Sequence, residues 1–174
     1  MTLGIIYTAS LDTFAKVLTI STIIFMVGLS IWIIRQLRKS KVGKVFKFVY
    51  YFIVLLQFMI LLVAFLYSPR NYILGNFDVA INRPIGRITI QVKDILEIRP
   101  LQENEMEGTV RTFGVGGLFG YYGSYHNQHI GDFKMYATRQ TRLVIMHTAQ
   151  GEAIVISPDD KDFVARIIAK RNDL

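Results

Sequence analysis

Two uncharged apolar stretches near the start of the chain constrain it more than any other feature. Val17–Ile34 (VLTISTIIFMVGLSIWII) holds 18 residues, with Ser, Thr and Gly as its non-apolar types. Phe48–Tyr67 (FVYYFIVLLQFMILLVAFLY) holds 20, with Gln57 as its one strongly polar residue. At 1.5 Å per residue they reach about 27 and 30 Å, the thickness of a bilayer's hydrocarbon core. A helix on the surface of a soluble protein keeps a polar face, and neither stretch has one. They read as a transmembrane hairpin, with spans over about 13–34 and 48–67. Tyr50, Tyr51 and Phe52 at one end of the second stretch and Phe65 and Tyr67 at the other match interfacial aromatic belts, as does Trp32 in the first. No basic segment precedes the first stretch and no small-residue cleavage site precedes Arg35, which argues against a removed signal peptide.

Between the stretches lies RQLRKSKVGKVFK, residues 35–47, with six cations (Arg35, Arg38, Lys39, Lys41, Lys44, Lys47) and no anion. Up to Tyr67 there are seven basic residues and one acid, and beyond it 13 basic and 12 acidic. Of the net charge of +7, then, +6 belongs to the helical part. A short cationic loop beside two spans points to anionic headgroups and to the cytoplasmic side, not to nucleic acid. Six cations there stand against four near the opposite membrane ends (Lys16, Arg70, Arg83, Arg87). The expectation is a basic loop over 35–47 in the cytoplasm, with both termini on the far side.

After Ser68-Pro69 the pattern changes to short alternating runs separated by turn signals. Strands are expected over Phe77–Asn82, Arg87–Gln91, Ile95–Leu101, Asp132–Ala137, Thr141–Thr148 and Ala153–Ile156. Ser157-Pro-Asp-Asp160 reads as a helix start, with Ser157 as cap and two carboxylates in the first turn. Phe163, Val164, Ile167 and Ile168 then share one face, which must pack on the sheet. The fold class is α+β: a helical hairpin over 1–70, then over 71–174 an antiparallel β sandwich or barrel capped by a helix.

Arg111-Thr-Phe-Gly-Val-Gly-Gly-Leu-Phe-Gly-Tyr-Tyr-Gly123, Phe133-Lys-Met-Tyr-Ala-Thr138 and Ala153-Ile-Val-Ile-Ser-Pro-Asp-Asp160 resemble the bacterial pleckstrin-homology-like (PH-like) domain family. The resemblance covers roughly Tyr72–Arg171. It implies two antiparallel sheets closed at one end by the C-terminal helix, often beside transmembrane helices, and so a bacterial inner membrane. It implies no catalytic residue and no cofactor. Eukaryotic relatives of the fold bind lipid headgroups through an early hairpin, whose nearest equivalents here are Arg83 and Arg87.

The glycines Gly114, Gly117, Gly120 and Gly123 recur every three residues. A phosphate-cradling loop needs a following helix and usually a Lys, and this segment has neither, so bulges and tight turns are expected. Its aromatics, Phe113, Phe119, Tyr121, Tyr122 and Tyr125, suit either a core or an exposed contact surface. His126, His129 and Asp132 have metal-like spacing, but one short loop rarely completes a site. Ser124, His126 and Asp132 lack the surroundings of a hydrolase triad. Helix-terminal capping accounts for Asp159 and Asp160. Gln57 is expected to bond Ser21, Thr22 or Ser30 across the two spans.

The function expected from these features is a non-catalytic, membrane-anchored module that recruits or assembles a protein partner, or a second copy, at the membrane. The alternative is a headgroup sensor using Arg83, Arg87, Phe119, Tyr121 and Tyr122. A metal enzyme at His126, His129 and Asp132 ranks last, and no metal or cofactor is expected.

Overall fold

The computed structural model describes residues 4–39 and 43–173, so Lys41 lies outside the described residues. Two long helices, α1 (Thr13–Lys39) and α2 (Lys44–Tyr67), follow a short strand. Both are long and apolar enough to cross a membrane. They outrun the expected spans because Arg, Gln, Leu and Lys are good helix formers and carry the coil past the apolar stretch. This corrects the expected loop. Arg35, Arg38 and Lys39 lie on the last turns of α1, and Lys44 and Lys47 on the first turn of α2. Midway along, Gln57 donates to the Met26 carbonyl at 3.2 Å and to the Ser30 hydroxyl. Ser30 is thus the partner among the three expected.

The first sheet has the order β1-β2-β3-β4, where β1 is Ile5–Thr8, β2 Asn71–Leu74, β3 Asp78–Asn82 and β4 Arg87–Gln91. All its pairs are antiparallel. The chain leaves this sheet after β1, builds both helices and returns beside β1 as β2, with Tyr7 opposite Tyr72.

The second sheet runs β5-β9-β10-β8-β7-β6. Its strands are β5 (Ile95–Pro100), β6 (Val110–Gly116), β7 (Tyr121–Asn127), β8 (Gly131–Ala137), β9 (Val144–Thr148) and β10 (Ala153–Ile156). One pair departs from the expected antiparallel pattern: β10 lies parallel to β8, with Val155 opposite Met135. The chain crosses from β8 to β9 leaving one strand position open, and β10 fills it on folding back from β9. The two sheets do not close into a barrel, so the sandwich alternative holds.

Between the sheets lie Tyr72, Val79, Ile81, Val92, Ile95, Met146 and Ile156, closed by Phe163 and Ile167 of α3 (Phe163–Asn172). A second cluster, on Tyr121, Phe133, Met135, Ile145 and Val155, takes in Ala15 from the first turn of α1. The start of α3 is a correction. The helix begins at Phe163, not at Ser157-Pro158. Ser157 is buried, accepts the Thr138 N–H at 2.8 Å and donates its own N–H to the Tyr72 hydroxyl at 3.0 Å. Asp159 receives the Ser10 N–H and hydroxyl and pairs with Arg139, while Asp160 accepts from the Asp162 N–H at 2.8 Å. Tertiary partners take Ser157 and Asp159 before a cap can form, and Asp160 closes a local turn ahead of the helix.

Candidate site at the foot of the helical pair

The glycine-rich segment forms the β6–β7 hairpin. Gly114 and Gly123 face each other at φ 116° and 129°. A Cβ on Gly114 would stand 2.2 Å from the Tyr122 carbonyl oxygen, so this approach of two backbones admits glycine alone. The expected bulge lies between Arg111 and Phe113, and the tight turn at Gly117–Gly120 is closed by a 2.8 Å bond from the Gly117 N–H to the Gly120 carbonyl.

That turn sits between the two helix ends. The Phe119 N–H donates to the Thr19 hydroxyl of α1 at 2.9 Å, and its ring meets Phe65 of α2 edge-on at 5.6 Å. Gly117 abuts Leu18 and Phe14 so closely that a Cβ would lie 2.7 Å from the Leu18 side chain.

The domain also completes the hydrogen bonding of both helix ends. The last carbonyls of a helix have no partner within it, and near hydrocarbon an unmet polar group is costly. At α2 the Tyr122 hydroxyl donates to the Ala64 carbonyl, Ser68 to Phe65, and the Ile85 N–H to Leu66 at 3.1 Å. At α1 the Asp12 carboxylate caps the helix by accepting the Ala15 N–H at 2.7 Å. It also accepts the Tyr121 hydroxyl at 3.1 Å and the Gln140 N–H at 3.2 Å. Burial pushes the Tyr121 hydroxyl well above the ordinary tyrosine range, and the Asp12 charge adds to this. Tyr122 moves the same way, mainly through burial. Both stay protonated and keep donating.

Of the residues expected at a contact surface, Tyr121 and Tyr122 are buried in this junction and Phe119 is half-buried at its tip. Arg83 and Arg87 lie apart from them on the β3–β4 hairpin. The Arg83 guanidinium stands 5.4 Å from the Tyr67 ring centre, and Arg70 stacks 4.4 Å over Phe65. In the sequence Arg70 counts only as a topology charge; its place just after an aromatic helix end is the available signal. Among the described residues no carboxylate pairs with Arg70, Arg83 or Arg87.

His126 pairs with Asp132 across β7 and β8 at 2.7 Å, on the exposed surface. The His129 N–H donates to the Asn127 side chain at 2.7 Å. Among the described residues no three His, Cys, Asp or Glu side chains gather in a way that would hold a metal ion. A cross-strand hydrogen bond accounts for His126 and Asp132.

No curated protein and no solved structure matches the chain. A family model described as "Bacterial PH domain" matches residues 70–172, from the residue after Pro69 to the last residue of α3. That match covers more than half the chain. The chain therefore belongs to the bacterial PH domain family.

Proposed function

We propose that the protein is a non-catalytic, membrane-anchored interaction module. Its two helices span the membrane and hold the PH-like domain against one bilayer surface, where it recruits a protein partner. The observation that carries this reading is the junction: the β6–β7 turn between α1 and α2, with the domain hydrogen-bonded to both helix ends. A domain fixed in this way meets membrane-bound partners at a raised effective concentration. Its far end is free for such contact. Phe77 (62% exposed) and Leu96 (65% exposed) stand there, at the opposite end of β3 and β4 from Arg83.

Photo-crosslinking from positions 77 and 96 of the full chain in its native membrane tests this. A discrete adduct from either position is expected, lost when the helices are replaced by a soluble linker. No adduct from either position overturns the reading. In this reading the 35–47 side is cytoplasmic and the domain lies outside, an orientation supported by the cationic helix ends. The chain has no cysteine, so Gln36→Cys and Gln128→Cys report the orientation through an impermeant reagent on intact spheroplasts. Labelling at 36 but not at 128 reverses it.

Arg70, Arg83 and Arg87 favour headgroup contact as a second reading. They lie at the exit of α2 without carboxylate partners among the described residues, two of them on the aromatic rings at the end of that helix. Arg70→Gln with Arg83→Gln is expected to lower co-purification of anionic lipid with the full chain. Unchanged lipid content would leave the protein-partner reading standing alone.

A further inference from the structure

A cavity of about 350 Å³ opens at the start of α1. Ser10 and Asp12 line it from the chain ahead of α1, Thr13 from the first residue of α1, Arg139 and Arg142 from the β8–β9 connection, and Asp159 from the turn after β10. Its two carboxylates are engaged. Asp159 holds Ser10 and Arg139, and Asp12 holds Ala15, Tyr121 and Gln140. Its cations have capacity left. The Arg139 side chain is 13% exposed, it meets Asp159 through a terminal nitrogen, and its Nε is buried with no hydrogen-bond partner. Arg142 is exposed and has no ion pair among the described residues. It also adopts φ 54°, a left-handed conformation uncommon outside glycine. Such backbone outliers cluster where a ligand is held.

Depth supplies the partner. Thr13 precedes the apolar stretch at Val17 by four residues, about 6 Å of helix. The headgroup layer on each side of a bilayer is roughly 5–8 Å thick, so an α1 that enters the hydrocarbon at Val17 would bring the cavity mouth level with lipid phosphates.

We propose that this cavity binds a phosphate group, that of an anionic phospholipid in the adjoining leaflet, through Arg142 and Arg139. The proposal rests on α1 being a span, and it concerns a different place from the arginines at the exit of α2.

The test uses the purified full chain in nanodiscs of equal parts phosphatidylcholine and phosphatidylglycerol, with retained lipid counted by native mass spectrometry. Preferential retention of phosphatidylglycerol is expected. Arg142→Gly removes the cation and suits the left-handed backbone, so its melting temperature is expected to be no lower. Its phosphatidylglycerol preference is expected to fall about tenfold, the scale of one lost charge-assisted hydrogen bond. Lys93→Gln, at the far end of the domain, is expected to keep the preference. Equal retention by wild type and Arg142→Gly overturns the proposal. Inorganic phosphate titrated into lipid-stripped protein separates the sources. Saturable stabilisation that Arg142→Gly abolishes, without lipid preference, assigns the cavity to free phosphate and overturns the lipid source. Release of the protein by alkaline carbonate would show instead that the membrane reading itself had failed.

Discussion

Phe25 of α1 and Phe163 of α3 are the same side chain in opposite surroundings. Phe25 is 68% exposed on a helix whose flanks are apolar all round, and Phe163 is fully buried between two sheets and its own helix. The sheets bury their apolar surface within the chain. The helices leave theirs outside, as two surfaces long and apolar enough to cross a membrane. Among the described residues a polar link joins them midway, from Gln57 to Ser30 and Met26. The two regimes meet at the β6–β7 turn, whose glycines let the sheet's edge reach both helices.

The largest expected difference between the regions follows from that contrast. Phe163→Ala should destabilise the protein by about 3–5 kcal/mol through lost burial and the cavity left behind, and Phe25→Ala by a small fraction of that. Thermal unfolding of the solubilised full chain, followed by circular dichroism, measures both. Equal effects would mean that α1 is packed as a core helix.

Glycine substitution sharpens the comparison. Gly114→Ala places a methyl against the Tyr122 carbonyl at positive φ and should cost roughly 2–4 kcal/mol. Gly28→Ala, in α1 with nothing within 4 Å of the added carbon, should be neutral or slightly stabilising. At the junction itself, Asp12→Ala removes a helix cap and the acceptor for Tyr121 and Gln140. About 1–2 kcal/mol is expected, with Asp12→Asn recovering part of it.

The smallest effect is a pH response confined to the sheets. Arg99 binds Glu105 through two hydrogen bonds, at 2.9 and 2.7 Å. With the Gln102 N–H, this holds the Glu105 carboxyl down at about 2. A lowered folded-state value stabilises the folded form above the ordinary carboxylate range, and the contribution is lost as pH falls through about 2. Protection against hydrogen exchange at the 3-10 turn Glu103–Met106, corrected for the intrinsic pH dependence of amide exchange, should therefore fall below about pH 4.5, while the protection of α2 does not change.

Much of this organisation is legible in the residues. The uncharged stretches mark the helices, and period-2 alternation marks β3, β4, β5, β8, β9 and β10 to within a few residues. The remaining strands carry no such signal. In β1, Ile-Ile-Tyr-Thr is too short to show a period, and it becomes a strand by pairing with β2 more than sixty residues later. In β6 and β7, glycines interrupt the alternation at the positions where close backbone approach requires them. At the candidate site, Arg83 and Arg87 stand out as cations on a hairpin. Nothing local marks Asp12, which looks like a lone acid ahead of a span, or Ser157, which looks like a helix cap.

Which segments are continuously apolar, which alternate and where the charge gathers are properties of neighbouring residues, so the amino-acid sequence settles them. The parallel insertion of β10 beside β8, the start of α3 at Phe163 and the seating of the β6–β7 turn between two helix ends had to await the folded chain. Each depends on which distant partner satisfies a given hydrogen bond: Thr138 and Tyr72 for Ser157, Ser10 and Arg139 for Asp159, Ala64 for Tyr122. A local rule assigns such groups to their chain neighbours, and in this protein tertiary partners claim them first.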